Sequence, residues 1–234
     1  MDAKVGSIVM PGDVLIDLKN SDTNDKIIFG PGLRRDGEMI IAMKCGVIKR
    51  SSAKIFYVDN HQMRYVPTRG ENVIGTVVKK GGEEILVDIG SSEPAVVDLL
   101  SFEGATKRNK PLIKIGDIIY GKIIVACRDM EPELVCINSY GKSAGLGVLP
   151  SDGFMFPVSL EYCRKLLVPN SPILKRLSQN VPFEIAIGLN GIIWIKSVSL
   201  HKTLVLVQAI SVLEYATEKE IELMCDGINK VNVT

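Results

Sequence analysis

The 234 residues are 46% hydrophobic and 24% charged, with a formal net charge of only +1. This composition is typical of a globular protein with a sizeable core, and the small charge excludes a partner bound by electrostatics alone. Basic and acidic residues number 10 and 8 over residues 1–66, 9 and 11 over 67–139, and 9 and 8 over 140–234. Binding of nucleic acid would therefore depend on individual loops or on a surface shared with other proteins.

The cysteines indicate a reducing compartment. Their number is odd and no pair has C-x-x-C spacing, which argues against a disulfide framework and a zinc site. The five are Cys45, Cys127, Cys136, Cys163 and Cys225. The N-terminal MDAKVGSIVMPGD has no apolar stretch long enough for a signal peptide, and the apolar run at 203–213 is too short to span a membrane. We expect a soluble, intracellular chain that holds no metal and no cofactor.

Residues 1–66 predict a small β domain, because short apolar segments alternate with Pro-Gly and Asp-Gly turns. The stretch IFYVDNHQMRYVP, residues 55–67, reads as a hairpin that ends at Pro67. A small sheet of this kind needs a neighbour to cover it.

Residues 67–139 predict an OB-fold barrel, since five strand candidates occur in about 70 residues with a long link between the third and fourth. The strand candidates are 73–80, 85–90, 94–100, 117–128 and 133–138, and the link is 101–116. The Gly81-Gly82 turn and this link are the loops that commonly bind ligands in OB folds. Their basic residues are candidate contacts for RNA or for protein, against the alternative of a merely solubilising loop. These residues are Lys79, Lys80, Lys107, Arg108 and Lys110.

Residues 140–234 predict an α+β domain. Helices are expected over 159–168, with Ser159 as N-cap, and over 171–179, with Pro172 at the first position. A hairpin follows in FEIAIGLNGIIWIK, residues 183–196, and then a helix over 201–216 that is apolar nearly all round and should be buried.

Catalytic motifs are not found. His61 and His201 are isolated, and a lone histidine signals a site only weakly. Gly141-Lys142-Ser143 fails as a phosphate loop because the first glycine of that motif is replaced by Cys136. The acids Asp129, Glu131 and Glu133 flank Pro132 and are interpreted as a solvated hairpin tip rather than a metal cluster. We predict that the chain is not an enzyme.

A Gly-x-x-Gly sequence, Gly188 to Gly191, has the spacing with which KH domains clamp a nucleic-acid backbone. In KH domains that clamp joins two helices and presents free N–H groups, whereas this sequence is flanked by strand-like segments and contains Asn-Gly. On local chemistry it is a hairpin turn. Trp194, the only tryptophan, alternates with apolar residues and is interpreted as core rather than as a base-stacking platform.

Eight segments, taken in order, give the chain a resemblance to a known family. They are MPGD (10–13), FGPGLRRDG (29–37), RYVP (64–67), NVIG (72–75), SFEGATKRNKP (101–111), GDIIYGKI (116–123), DMEPELVCI (129–137) and IGLNGIIWIK (187–196). With these, the chain resembles the non-catalytic RNA-exosome cap subunits of the ribosomal RNA-processing protein 40 (exosome component 3) type. The resemblance implies an N-terminal β domain at 1–66, an S1-type OB-fold domain at 67–139 and a KH domain at 140–234.

The function implied by this resemblance is assembly with other S1/KH cap subunits on a ring of RNase PH-like subunits. The cap would hold the ring closed and guide single-stranded RNA to its channel, and associated 3′-to-5′ exoribonucleases would process ribosomal RNA and degrade other RNA. The family implies pools in the nucleus, nucleolus and cytoplasm, and no membrane. The alternative is a purely structural subunit with no direct RNA contact. A stand-alone RNA-binding factor would bind tightly and salt-sensitively, which the modest charge disfavours.

The family's G-x-N-G motif corresponds here to Gly188, Leu189, Asn190 and Gly191. Because these residues lie between two predicted strands, we expect them to have a structural role, such as packing against the barrel, and not to grip RNA.

Overall fold

The computed structural model describes residues 5–17, 28–52, 55–127, 129–168 and 172–214. They form two compact units, which divide between Gln62 and Met63. Each unit is described by itself. None of the helices in the described ranges has the length and apolar character needed to span a bilayer.

The N-terminal unit consists of two small sheets, with strand orders β1-β6-β7-β3 and β2-β5-β4. Its strands are β1 Ile8–Val9, β2 Val14–Asp17, β3 Ile28–Phe29, β4 Leu33–Asp36, β5 Met39–Ala42, β6 Gly46–Ser52 and β7 Ile55–Asp59. A small core of Val9, Leu15, Ala42, Ile48 and Val58 holds them together. The prediction of a small N-terminal β domain is confirmed.

The predicted hairpin over 55–67 is wrong. β7 pairs instead with the preceding strand β6 and, in parallel, with β3, and residues 60–67 form no strand. Tyr65 explains the difference, since its ring is buried in the core of the second unit and its hydroxyl donates to Glu71 Oε2 at 2.6 Å. Burial, followed by this hydrogen bond, raises the pKa of Tyr65 well above its usual value.

The second unit begins with a closed five-stranded barrel. Its strands are β8 Asn72–Lys80, β9 Glu84–Asp88, β10 Ala95–Asp98, β11 Ile118–Val125 and β12 Glu133–Val135. They run in the order β12-β10-β9-β8-β11, and a pairing between β11 and β12 closes the sheet. β10 and β12 are parallel, while the other neighbours are antiparallel. This arrangement confirms the predicted OB-type barrel. A short strand, β13 Gly147–Val148, extends it beside β11.

The C-terminal part of this unit is an α+β domain, as predicted. Its elements are β14 Phe154–Pro157, α1 Leu160–Leu167, α2 Pro172–Asn180, β15 Phe183–Gly188, β16 Ile192–Ser197 and α3 Leu200–Leu213. The three strands form an antiparallel sheet in the order β14-β16-β15. Ser159 caps α1 through a hydrogen bond from Tyr162 N to its hydroxyl at 3.2 Å, which confirms the N-cap expected there.

Helix α3 is buried on one face only, so the burial predicted from its nearly continuous apolar surface is only partly correct. Thr203, Leu206, Ile210 and Leu213 are buried at helical spacing, whereas Leu204 is 46% exposed. The small sheet offers the helix one contact surface, which covers a single stripe of side chains. Residues 215–216, the predicted end of the helix, lie outside the described ranges.

The small sheet has an apolar layer on each face. Ile187, Ile193 and Ile195 pack into the core formed with the helices. Ala186 and Trp194 lie on the opposite face and cluster with Ile74 of barrel strand β8. The alternation of side chains along β16 therefore joins the α+β domain to the barrel.

Candidate nucleic-acid interface

The basic loops of the barrel are fixed to one another by two of the five candidate cations. Lys80 Nζ donates to Ile113 O at 2.9 Å, and Lys110 Nζ donates to Gly82 O at 2.9 Å. Each lysine thus reaches from one loop to the backbone of the other. These two ammonium groups have a stabilising role in the loops, and this leaves Lys79, Lys107 and Arg108 as the cations best placed to meet a ligand.

A β-bulge in β8 sets the direction of Lys79. Val73 and Val77 point into the barrel core, so unbroken alternation would point residue 79 inward as well. The register with β9 shifts between Val77 and Lys79, and Lys79 is paired with half-buried Leu86. The extra residue, Val78, therefore places the Lys79 side chain outside the barrel, where it is exposed.

Lys107 and Arg108 occupy the tip of a tight turn. Thr106 N donates to Asn109 O at 2.9 Å, and Asn109 N donates back to Thr106 O at 3.0 Å. Both cations are exposed, and neither has a hydrogen-bond or ion-pair partner among the described residues. The turn holds the two positive charges side by side on a fixed backbone.

A pocket is lined in part by Lys107 of this turn. Its lining residues are Glu83, Asp98, Leu99, Leu100, Lys107 and Lys110. The two carboxylates lower the positive potential around the two lysines, so the pocket itself is a poor site for a phosphate. The favourable position for an anion is the outer surface of the turn, at Arg108 and Lys107.

The glycine-x-asparagine-glycine turn contacts the barrel rather than solvent. Asn190 is 8% exposed, and its side-chain amide donates to Ile74 O at 2.7 Å and to Ile89 O at 2.9 Å. Its Oδ1 accepts a hydrogen bond from Ile74 N at 3.2 Å. All three bonds cross from the α+β domain to barrel strand β8 or to the residue that follows β9.

Asn190 forms hydrogen bonds to β8 at a position where β9 does not pair with it. The N–H and C=O groups of Val77 form hydrogen bonds on the β11 side of β8. Because these groups alternate in direction along a strand, those of Ile74, three residues earlier, point toward β9. The β8–β9 pairing begins only at Thr76 and Asp88. The Asn190 amide therefore bonds to Ile74 as a strand residue would, and satisfies buried polar groups that would otherwise be unpaired.

The other three residues of the motif are constrained by close approach. Leu189 N donates to Asn72 O at 2.9 Å, and Gly191 N donates to Gly188 O at 3.2 Å. A Cβ on Gly188 would lie 2.8 Å from Ile74 N, and Gly191 has a φ of +82°, which disfavours other residues. The turn therefore offers a phosphate neither the Leu189 nor the Gly191 amide.

The position at which KH domains normally carry their clamp is different in this chain. That clamp joins two helices, and the connection between α1 and α2 reads Val-Pro-Asn-Ser, residues 168–171, with no glycine. Trp194, at 3% exposure, is buried against the barrel and is not accessible to a base.

Reactive side chains do not gather at this surface. In the part of the chain that the structure describes, no group of three or more His, Cys, Asp or Glu residues could hold a metal ion. Burial raises the pKa of Cys136 and of Cys163 to about 12, so both remain thiols rather than thiolate nucleophiles at neutral pH.

Sequence reasoning missed a second loop beside the basic turn. From the sequence, Gly141-Lys142-Ser143 stood out only as an incomplete phosphate loop. In the structure, Ser143 N donates to Glu103 Oε2 at 3.0 Å and so joins residues 138–147 to the connection that carries the basic residues. Hydrogen bonds from Ser143 hold the pKa of the Glu103 carboxyl below its usual value. The sequence signals of an ordered turn here are Asn138 and the glycines, of which Gly141 and Gly145 have φ values of +74° and +87°.

A closed OB-type barrel, followed by a KH-like domain that is bonded to it, defines an S1–KH protein. Family profiles agree: "Exosome complex component RRP40, S1 domain" matches residues 65–147, "KH domain" matches 153–201, and "Mammalian exosome complex component RRP40, N-terminal" matches 7–61.

Similar proteins identify the family. The chain is 44% identical to exosome complex component RRP40 of Drosophila melanogaster over 95% of both chains. It is 39% identical to that of Homo sapiens, over 92% of this chain and 88% of the human protein. The chain belongs to the exosome complex component RRP40 family. The crystal structure of a candidate exosome complex RNA-binding protein shares the fold, with a TM-score of 0.60 and 23% identity over 72% of this chain and 99% of the other.

Proposed function

We propose that the chain is a non-catalytic RNA-binding cap subunit of the RNA exosome. It holds a ring of RNase PH-like subunits closed together with other S1/KH cap proteins, and it guides single-stranded RNA into the central channel. The observation that supports RNA contact is the Thr106–Asn109 turn, which presents Lys107 and Arg108 to solvent on a hydrogen-bonded backbone. Family membership supports the assembly.

In this role the chain makes and breaks no bonds. Its contribution is a rigid surface with a few positive side chains, and associated 3′-to-5′ exoribonucleases act on the RNA that it passes on. Those nucleases produce mature ribosomal RNA and degrade messenger and other RNA. The sites of action would be the nucleus, the nucleolus and the cytoplasm.

The near-zero net charge agrees with a shared RNA path. Three outward cations, Lys79, Lys107 and Arg108, give the isolated chain only a weak hold on a phosphate backbone. Strong binding then arises where the surfaces of several subunits meet.

Charge reversal at the basic turn tests the proposal. In the assembled complex, purified through the tagged chain, the double variant Lys107→Glu, Arg108→Glu should reduce crosslinking of this chain to single-stranded RNA several-fold, because two phosphate contacts become repulsive. Lys122→Glu is a matched control, since Lys122 is exposed on the same barrel but is paired with Asn72, at the opposite end of β8 from Lys79.

Two results would contradict the proposal. If crosslinking is unchanged while assembly of the complex is impaired, the turn is a protein interface and the chain is a purely structural subunit. If the purified chain trims labelled RNA with a divalent metal, and Asp129→Asn with Glu131→Gln abolishes the trimming, the chain is an enzyme.

A further inference from the structure

An exposed aromatic side chain lies in the second loop beside the basic turn. Tyr140 is 87% exposed, and it lies five residues after the end of β12 at Val135. Its hydroxyl makes no hydrogen bond within the described residues. A tyrosine ring that remains in water forgoes the stabilisation that burial would give it, so its position invites a functional explanation.

The backbone that carries Tyr140 is held in place by Asn138. Asn138 Oδ1 accepts hydrogen bonds from Tyr140 N and from Lys142 N, both at 3.0 Å. Asn138 N donates to Lys142 O at 2.8 Å, and Gly141 N donates to Asn138 O at 3.0 Å. Four hydrogen bonds within five residues make a preorganised turn, so little backbone entropy would be lost when the ring meets a ligand.

The same turn lies alongside the connection that carries the basic residues. Cys136 N donates to Ser101 O at 3.0 Å, and Ser143 N donates to Glu103 Oε2 at 3.0 Å, so the two segments are joined on both sides of Tyr140. Tyr140 is three residues from Ser143, and Lys107 is four residues from Glu103. The extended chain from Tyr140 to the Ser143–Glu103 hydrogen bond is therefore at most about 11 Å long, and the chain from Lys107 to it is at most about 14 Å long.

Lys142 adds a cation two residues after the ring, and it is exposed. The turn thus has an exposed aromatic ring, a cation on the same loop, and further cations on the connection to which the loop is hydrogen-bonded. These are the two components of a single-strand binding surface. The ring stacks on a base, and the cations follow the phosphates.

We propose that Tyr140 is a base-stacking residue for single-stranded RNA, with Lys142 beside it contacting the phosphate backbone. This inference rests on the proposed function and deepens it. It adds a sequence-tolerant contact to bases, because every base offers a π-face, and this contact does not depend on charge. The favoured ligand is an unpaired strand, since a base within a duplex cannot expose its face to the ring.

Substitutions of Tyr140 in the full-length chain test this inference. The probe is a short oligoribonucleotide that contains 2-aminopurine, whose fluorescence falls on stacking, titrated at about 50 mM salt, where weak electrostatic binding is strengthened. Tyr140→Ala should weaken binding about 5- to 100-fold and abolish the quenching, while Tyr140→Phe should stay within about 2-fold of the unaltered chain. Leu112→Ala, at a residue that is 95% exposed but not aromatic, is the matched control and should have no effect.

The salt dependence separates stacking from charge. Tyr140→Ala should leave the slope of log affinity against log salt unchanged, because it removes no phosphate contact, whereas Lys107→Glu with Arg108→Glu should make it shallower. Equal binding by Tyr140→Ala and the unaltered chain would overturn the inference. So would unchanged RNA binding together with loss of a co-purifying subunit, which would make Tyr140 a protein contact.

Failure of the inference can be told from failure of the proposed function. If the isolated chain gives no quenching while the assembled complex still crosslinks RNA at the basic turn, the proposed function stands and the stacking role is rejected. If neither binds RNA, both are rejected.

Discussion

Asn190 shows how much one side chain contributes to this molecule. Its amide satisfies the backbone N–H and C=O of Ile74 and the C=O of Ile89, all in a buried region. A sequence reader sees Asn-Gly and predicts a turn, which is correct. The partners lie 116 and 101 residues away along the chain, so no local pattern could reveal them.

We expect Asn190→Ala to lower the free energy of unfolding of the full chain by about 2–4 kcal/mol, because it leaves a buried donor and two acceptors without partners. Denaturant unfolding measures the change. Asn190→Asp should be at least as harmful, since a carboxylate would face the carbonyls of Ile74 and Ile89 without donors for them. Asn109→Ala is a control at an exposed asparagine, and a loss as large there would contradict this account.

The basic residues show where residue-level prediction reaches its limit. All five candidate cations were visible in the sequence, but two of them donate to carbonyls of the opposite loop, 33 residues away for Lys80 and 28 for Lys110. Composition identifies a charged loop but not the partner of each charge. The division into cations that stabilise the loops and cations that face outward therefore needed the structure, and the RNA-binding role of the outward group remains a prediction.

At the scale of elements, strand alternation and turn residues predicted the barrel well. The Gly81-Gly82 turn and the long connection gave the right number of strands and the right long link, because OB strands are short and separated by clear turn signals. The same method failed at residues 60–67, where Tyr65 leaves the strand pattern to enter the barrel core. It also failed at α3, where composition alone could not show that only one stripe is covered.

The bulge in β8 leads to a prediction at this scale. Deletion of Val78 should restore regular pairing and leave Lys79 outward opposite Leu86, because Val78 is the extra residue of the bulge. We therefore expect the free energy of unfolding, measured with denaturant, to change by less than about 1 kcal/mol.

Deletion of Gly82 is the matched control for the bulge. It shortens the chain by one residue in the β8–β9 turn and leaves the alternation of β8 intact. It also removes the carbonyl to which Lys110 donates, so it should destabilise the chain more than deletion of Val78 does. An equal loss from the two deletions would contradict the assignment of Val78 as the extra residue of the bulge.

For the whole molecule, the balance of charge sets how RNA binding responds to salt. With about three outward cations in contact with phosphates, the slope of log affinity against log salt should be about −2, since each contact with a single strand contributes about −0.7. Filter binding or fluorescence anisotropy with the full-length chain, between about 50 and 200 mM salt, measures this slope. A slope of −5 or steeper would indicate a stand-alone RNA-binding protein and would contradict the shared-path role.

The link through Ile74, Trp194 and Asn190 bears on how this family can change over time. The sequence looks modular, yet the outer face of one barrel strand and the back of the neighbouring sheet form a single apolar layer. A recombination event that exchanged only the C-terminal part would leave this layer mismatched and the Ile74 backbone unpaired. The barrel and the α+β domain must therefore be inherited, expressed and transplanted together. A truncated fragment of either would expose the apolar layer and tend to aggregate.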